Sequence, residues 1–234
     1  MKFIKYKNFL KNKAIISFFY RLLIVVFVVS GLIVNFVTED TAPRDILVMY
    51  TTMSNILVGV FFLYLIILTA LNLITKQSLN ENSEVLIFCK SCVTYAITVT
   101  FLIFLFGITP ATILSGDSEW LSTYWNIVLH YIVPPMVILD WLLFDKKKIM
   151  KKWYPLAFVS VPFSYLIFAL VRAEIGGILR EGTPNQSRYP YPFIDIDLLG
   201  VGVTVAIVLG ITLICIGLGY LMYRINHIDR KKGV

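Results

Sequence analysis

One histidine lies within an apolar stretch of the chain, in the pattern Asn126-x-x-x-His130-x-x-x-Pro134-Pro135. Imidazole gains and loses a proton near neutral pH, so a histidine in such surroundings is a candidate for proton transfer. Asn126, His130 and Pro134 recur at intervals of four and therefore share one face of a helix. Pro134 donates no backbone hydrogen bond, which leaves the carbonyl of His130 without its helical partner and predicts a kink there. A structural histidine, bonded to a neighbouring helix, is the alternative.

A second polar group opens an earlier apolar stretch, with the sequence Tyr50-Thr51-Thr52-Met53-Ser54-Asn55. Thr51 and Asn55 are four residues apart and lie on one helix face, with Ser54 beside them. Hydroxyl and amide groups in apolar surroundings cost free energy unless they find hydrogen-bond partners. We therefore expect them either to bond neighbouring helices together or to line a polar site.

Four charged residues lie near the ends of apolar stretches. Asp140 is close to the end of the stretch that holds the histidine, where it either orients another group or marks the end of the helix. Arg21, Lys90 and Arg172 lie near enough to the ends for their long side chains to reach water. We therefore interpret these three cations as solvated.

Metal and cofactor motifs are not found in the sequence. Cys89-Lys90-Ser91-Cys92 has the spacing of a redox or metal motif, but a second cysteine pair is missing. No phosphate-binding glycine loop, zinc-protease motif or serine-hydrolase motif is present either. We predict no metal site and no cofactor.

The composition indicates which elements must position these residues. Hydrophobic residues make up 58% of the 234 residues and charged residues only 15%, whereas soluble domains have about 25% charged residues. A helix needs about 20 apolar residues to cross a bilayer. The sequence therefore predicts an all-α integral membrane protein, a single domain over 1–234. Its six predicted transmembrane helices are roughly 14–37, 47–74, 85–108, 120–144, 154–173 and 198–223.

The distribution of charge predicts an orientation. Fifteen lysines and arginines flank one side of the six spans, whereas the opposite loops hold three arginines and nine acids. Basic residues accumulate on the cytoplasmic side of membrane proteins, so we predict both termini in the cytoplasm of a cell whose plasma membrane holds the chain. The basic clusters are not interleaved with stacking aromatics, and we predict no nucleic-acid partner.

The last outer loop, about 174–197, is longer than the other connections and contains Tyr189-Pro190-Tyr191-Pro192-Phe193. Loops of this length often serve as lids over functional sites. The stiff aromatic segment is expected to lie against the membrane face, either as a lid or as an interfacial anchor.

Taken together, the two polar groups resemble the androgen-induced membrane hydrolase family, and more particularly its bacterial six-helix branch. The resemblance rests on the order and placement of several motifs and extends over about two-thirds of the chain. These motifs are Tyr50-Thr51-x-x-Ser54-Asn55, His130-x-x-x-x-Pro135-x-x-x-x-Asp140-Trp141, Trp153-Tyr154-Pro155-Leu156 and the aromatic segment of the last outer loop.

The resemblance implies a threonine hydrolase that cleaves fatty acid esters of hydroxy fatty acids within the membrane. It assigns the nucleophile to Thr51, with Thr52 as an adjacent alternative, and the general base to His130. Supporting or substrate-binding roles then fall to Ser54, Asn55, Asn126, Asp140, Tyr189 and Tyr191. The amides of the two asparagines are candidate donors to the oxyanion. The alternatives are a proton-coupled transporter or channel that uses His130 and Asp140, and a non-catalytic lipid-binding membrane protein.

Overall fold

The computed structural model of the chain describes residues 2–39, 41–75, 83–116, 118–183 and 186–228. Six helices among these residues are long and apolar enough to cross a membrane, which confirms the predicted all-helical fold. We number them first to sixth: Asn12–Thr38, Tyr50–Thr75, Glu84–Leu114, Tyr124–Phe144, Tyr154–Ile175 and Ile196–His227. Met1 and residues 229–234 lie outside the described residues, and the cytoplasmic location of the termini remains a prediction.

The second and fourth spans begin later than the apolar pattern predicts. A short helix, Pro43–Leu47, precedes the second span, and Val48 and Met49 form a turn between them. Thr51 therefore lies in the first turn of the second span. Another short helix, Ser118–Leu121, precedes the fourth span. Apolar composition does not distinguish such separate turns from the helix that follows.

The chain divides into two compact units. Unit 1 comprises residues 1–38 and 54–146, and unit 2 comprises residues 39–53 and 147–234. Unit 1 therefore holds the first, third and fourth spans together with the second span from Ser54 onward. Its core is formed by buried aliphatic and aromatic side chains from these four helices, among them Ile24, Val28, Val58, Phe62, Val93, Ile97, Val128 and Leu129.

Close helix packing in unit 1 depends on a glycine of the first span. A Cβ atom added to Gly31 would lie 2.7 Å from the side chain of Leu129 in the fourth span. Helices in a membrane gain little from hydrophobic burial against one another, so small residues that permit close approach contribute much of their attraction. Gly31 thus brings the first span against the part of the fourth span that carries His130.

The fourth span is interrupted where its two prolines predict a kink. Residues Ile127–Ile132 form a π-helical segment, and regular α-helix resumes at Val133–Phe144. Pro134 and Pro135 donate no backbone hydrogen bonds, and the wider turn accommodates this loss. A second π-helical segment, Phe104–Ile108, interrupts the third span, and the sequence analysis did not predict it.

Unit 2 contains the short helix Pro43–Leu47, the fifth and sixth spans and the loop between those spans. Gly219 of the sixth span lies against the fifth span, where an added Cβ would be 2.7 Å from the carbonyl oxygen of Pro155. The loop is closed by an antiparallel bridge between Leu179 and Ser187. Two backbone hydrogen bonds of 2.8 and 3.2 Å join these two residues.

Tyr189 of the aromatic segment packs inward within unit 2, and the position of the segment at the membrane face remains a prediction. Tyr189 is 2% exposed and packs with Ile194 against Ala169 and Ala173 of the fifth span. The small alanine side chains leave room for the tyrosine ring, which buries a large apolar surface there. Tyr189 and Ile194 of the loop are therefore part of the core of unit 2.

Candidate functional site

His130 is buried within unit 1 and is held on two sides. Its ring stacks on Phe104 with centroids 3.6 Å apart, and its Nδ1 lies 3.2 Å from the carbonyl oxygen of Asn126. A carbonyl oxygen only accepts hydrogen bonds, so this contact places the proton of the neutral ring on Nδ1. Nε2 then carries the lone pair that a general base requires.

Both π-helical segments meet at this histidine. Phe104 is the first residue of the segment in the third span, and His130 belongs to the segment in the fourth span. Tyr131 adds a second contact between the two spans through a hydrogen bond of 2.6 Å between its hydroxyl and that of Thr109. Single π-turns within α-helices occur often at functional sites because they redirect one side chain.

Asn126 stabilises the start of the fourth span through its side chain as well as its backbone. Its Nδ2 donates to the carbonyl oxygen of Trp120 at 2.8 Å and to the hydroxyl of Thr123 at 3.0 Å. An amide nitrogen carries two hydrogens, so these two acceptors occupy both of them. This geometry favours a structural role for Asn126 over donation to an oxyanion.

Ser54 and Asn55 join the second span to two other spans of unit 1. Asn55 is fully buried, and its Nδ2 donates to the carbonyl oxygen of Leu129, the residue before His130, at 3.3 Å. The hydroxyl of Ser54 lies 2.8 Å from that of Thr100 in the third span. Both contacts are of the kind expected from polar groups that bond helices together.

Thr51 belongs to unit 2, where it contacts Tyr191. The hydroxyl of Tyr191 forms hydrogen bonds with both the side chain and the backbone of Thr51. It also accepts a hydrogen bond of 2.9 Å from the backbone N–H of Tyr50. The first N–H groups of a helix have no partner within it, so Tyr191 caps the second span beside the candidate nucleophile.

The side chains of the two adjacent threonines differ in accessibility. Thr52 is buried, whereas Thr51 is half-buried. A nucleophile must be reachable by its substrate, and this difference favours Thr51 over Thr52.

An aromatic group surrounds Tyr191. Tyr165 donates a hydrogen bond of 2.9 Å to the carbonyl oxygen of Val48, and its ring packs edge-on against Tyr50. Phe193 stacks on Tyr191 with centroids 5.1 Å apart. Burial raises the pKa of Tyr191, while its hydrogen bonds with Thr51 lower it. The net direction is upward, so the phenol is neutral at physiological pH.

Tyr189, the other tyrosine assigned a site role, has different surroundings. Its ring is buried with Ala169 and Ala173, and its backbone N–H donates to the hydroxyl of Ser187. Arg188 lies over the ring at 5.5 Å from its centroid. These contacts indicate that Tyr189 anchors the loop.

Asp140 lies at the centre of a buried ionic network in unit 1. Its Oδ1 accepts a hydrogen bond of 3.0 Å from Nε of Arg21, and Nζ of Lys90 lies 2.5 Å from its Oδ2. Lys90 also pairs with Asp145, and Arg21 donates to the hydroxyl of Thr69. Arg21 and Lys90 are therefore not solvated cations, as the sequence analysis interpreted them. Lys90 is buried, the Arg21 side chain is 11% exposed, and both bind Asp140, because a charge in apolar surroundings is stabilised chiefly by a partner of opposite sign.

Apart from Ser54 and Tyr189, the predicted site residues fall into three groups. In unit 1, Asn55 and Asn126 bind the turn that carries His130, whereas Asp140 lies ten residues further, about 15 Å along a helix. In unit 2, Thr51 and Tyr191 form a third group. No sequence motif marks the role of Phe104. The pairing of Lys90 with Asp140 was not predicted either, although their opposite charges within apolar sequence suggest it.

Compared with known proteins, the chain matches no family model, no curated protein and no solved structure.

Proposed function

We propose that the chain is a multipass membrane hydrolase of lipid esters, with Thr51 as the nucleophile and His130 as the general base. The observation that carries this proposal is the orientation of His130, whose Nδ1 faces the carbonyl oxygen of Asn126 and whose ring stacks on Phe104. Activation of a hydroxyl nucleophile requires a base that is itself held in position by a third group. The carbonyl of Asn126 takes that third role.

The proposed reaction has two stages. Nε2 of His130 takes the hydroxyl proton of Thr51 as Oγ1 attacks the ester carbonyl carbon, and the same proton passes to the departing alcohol. The acyl group then resides on Thr51. Water, deprotonated by the same imidazole, cleaves this acyl-threonine and releases the carboxylic acid and the free hydroxyl.

Tyr191 is the donor that we assign to the oxyanion of this reaction. Its phenol is neutral and contacts Thr51, whereas both amide hydrogens of Asn126 already have acceptors. One such donor contributes about 2.7–4 kcal/mol of transition-state stabilisation in a well-studied protease. The family resemblance makes fatty acid esters of hydroxy fatty acids the substrates to assay first.

Activity-based labelling tests the proposal. The purified protein is treated with a fluorophosphonate, and the modified peptide is identified by mass spectrometry. We expect adduct on Thr51, its loss in Thr51→Ala and His130→Ala, and its retention in the adjacent control Thr52→Ala. Undiminished labelling in both Thr51→Ala and His130→Ala would refute the assignment.

The two alternatives predict other results. A proton-coupled transporter would need Asp140 to gain and lose a proton, but two cations bind its carboxylate, which supports a structural role. We therefore expect no proton flux in liposomes that contain the protein. A non-catalytic lipid-binding protein would retain lipid through purification and give no labelled peptide.

A further inference from the structure

We propose that Arg180 binds the anionic head group of the lipid substrate at the loop end of unit 2, beside Thr51 and Tyr191. The inference rests on the proposed function, because it describes how the substrate of that reaction is held. A carboxylate or a phosphate would satisfy the site, since both present paired oxygens to the planar guanidinium.

The loop holds Arg180 in a defined backbone conformation. Its φ of 51° lies in the left-handed region, which residues other than glycine adopt infrequently. Its N–H donates a hydrogen bond of 2.8 Å to Oδ2 of Asp45, and its carbonyl oxygen accepts two hydrogen bonds from Thr183. The bridge between Leu179 and Ser187 closes the chain on the preceding residue. The backbone of Arg180 is therefore held by the loop.

Positive charge exceeds negative charge around Asp45. This buried carboxylate pairs with Nε of Arg44 at 3.4 Å and interacts electrostatically with Arg172 and Arg180. Three arginines therefore lie near one carboxylate, and one of them, Arg44, pairs with it directly. Burial lowers the pKa of Arg180, and Asp45 acts in the opposite direction. A bound anion would reduce the net positive charge of this cluster.

Two other arginines near this loop, Arg172 at the end of the fifth span and Arg188 in the loop, already have acceptors for their guanidinium groups. Arg172 donates to three backbone carbonyl oxygens of the loop. Arg188 binds Asp197 and Glu174. In contrast, Nε of Arg180 is buried and has no hydrogen-bond partner among the described residues. A buried donor without a partner destabilises the fold, and an anionic ligand would satisfy it.

The position of Arg180 connects this site to the proposed chemistry. Its side chain lies near Tyr191, whose hydroxyl contacts Thr51. A lipid anchored by its head group at Arg180 would therefore lie next to the nucleophile. Neutral esters lack the group that Arg180 binds, so the site selects acyl lipids that carry an anion.

Binding to a catalytically inactive protein tests the proposal. The Thr51→Ala protein in detergent micelles is titrated with an ester that bears a free carboxylate, with the methyl ester of the same compound, with phosphatidic acid and with diacylglycerol. We expect Arg180→Asn to weaken binding of an anionic lipid about tenfold and to leave both neutral lipids unchanged. Asparagine tolerates the left-handed conformation, so the loop is expected to fold, and Arg180→Lys is expected to retain part of the affinity.

The control is Arg188→Asn, which changes a half-buried, ion-paired arginine of the same loop and should leave binding of all four lipids unaltered. An effect confined to the carboxylate ester identifies a carboxylate site, and one confined to phosphatidic acid identifies a head-group phosphate site. Equal affinity of Arg180→Asn and its parent for both anionic lipids overturns the inference. An equal loss for the neutral lipids overturns it too. Because binding is measured without turnover, an anion site in a protein that fails the labelling assay would refute only the hydrolase proposal.

Discussion

The ring of Phe104 stacks on that of His130 with centroids 3.6 Å apart and planes inclined by 20°. Each residue lies in a π-helical segment of a different span, so the two irregular turns of unit 1 hold each other in place. The stacking restricts the imidazole plane, and the carbonyl of Asn126 fixes its tautomer. The imidazole is therefore positioned by residues of two adjoining spans.

Removal of this aromatic contact should affect stability and reactivity together. Phe104→Ala leaves a cavity beside His130, and we expect a cost of about 3–5 kcal/mol in the free energy of unfolding. Phe104→Leu fills most of the volume and should cost less than about 1.5 kcal/mol. Because leucine cannot stack, Phe104→Leu should still slow fluorophosphonate labelling. Labelling at the native rate in this folded variant would contradict a positioning role for Phe104.

The ionic network around Asp140 should contribute strongly to the stability of unit 1. Asp140→Asn leaves Arg21 and Lys90 buried with reduced compensation, and we expect a loss of about 3–5 kcal/mol. Asp145→Asn is the matched control, since the Asp145 side chain is 15% exposed and pairs with one of the two cations. The free energy of unfolding of both variants is measured in mixed micelles. Equal unfolding free energies for Asp140→Asn and the native protein would show that the network contributes nothing net.

Tyr191→Phe removes one hydroxyl from the proposed site and retains the ring. The backbone N–H of Tyr50 loses its acceptor, which should lower the free energy of unfolding by about 1 kcal/mol. If Tyr191 stabilises the oxyanion, the rate of ester cleavage should fall by about 100-fold or more. Tyr189→Phe tests the specificity of the effect and should leave the rate unchanged. A native rate in Tyr191→Phe would remove this residue from the mechanism.

The raised pKa of Tyr191 predicts a loss of stability in alkaline solution. Burial favours the neutral phenol, so the folded protein retains a proton that the unfolded chain releases near pH 10. The contribution of the neutral Tyr191 phenol to the free energy of unfolding is fully present below pH 10. It decreases as the pH rises toward the pKa of Tyr191 in the folded protein. Unfolding free energies from pH 8 to 11 should therefore decline less steeply in Tyr191→Phe than in the native protein. Identical slopes would show that Tyr191 has an ordinary pKa.

Thr51→Cys tests whether His130 activates the residue at position 51. A thiol beside an imidazole base loses its proton more readily, so the cysteine should react with iodoacetamide at neutral pH faster than in a Thr51→Cys, His130→Ala protein. We expect a difference of about tenfold, corresponding to one pKa unit. Cys89, Cys92 and Cys215 are replaced by serine in both proteins. Equal reaction rates would show that the two positions do not act together.

Much of the fold was predictable because each spanning helix must satisfy its backbone hydrogen bonds internally and present apolar side chains to lipid. The interruption near His130 was predictable for a similar local reason. Pro134 and Pro135 lack a backbone N–H, and this lack does not depend on which helices pack against the fourth span. The start of the second span was not predictable in the same way. Its preceding turn at Val48 and Met49 is as apolar as the helix itself.

By itself, the sequence determined six helices of membrane-spanning length and marked the polar residues within them, because composition and local backbone chemistry act at short range. Only the tertiary structure decided the partners of those residues. It stacked Phe104 on His130, paired Lys90 with Asp140 and set Tyr191 beside Thr51. These pairs are 26, 50 and 140 residues apart in the sequence. A buried polar group must find a partner, but which partner it finds depends on how the helices pack.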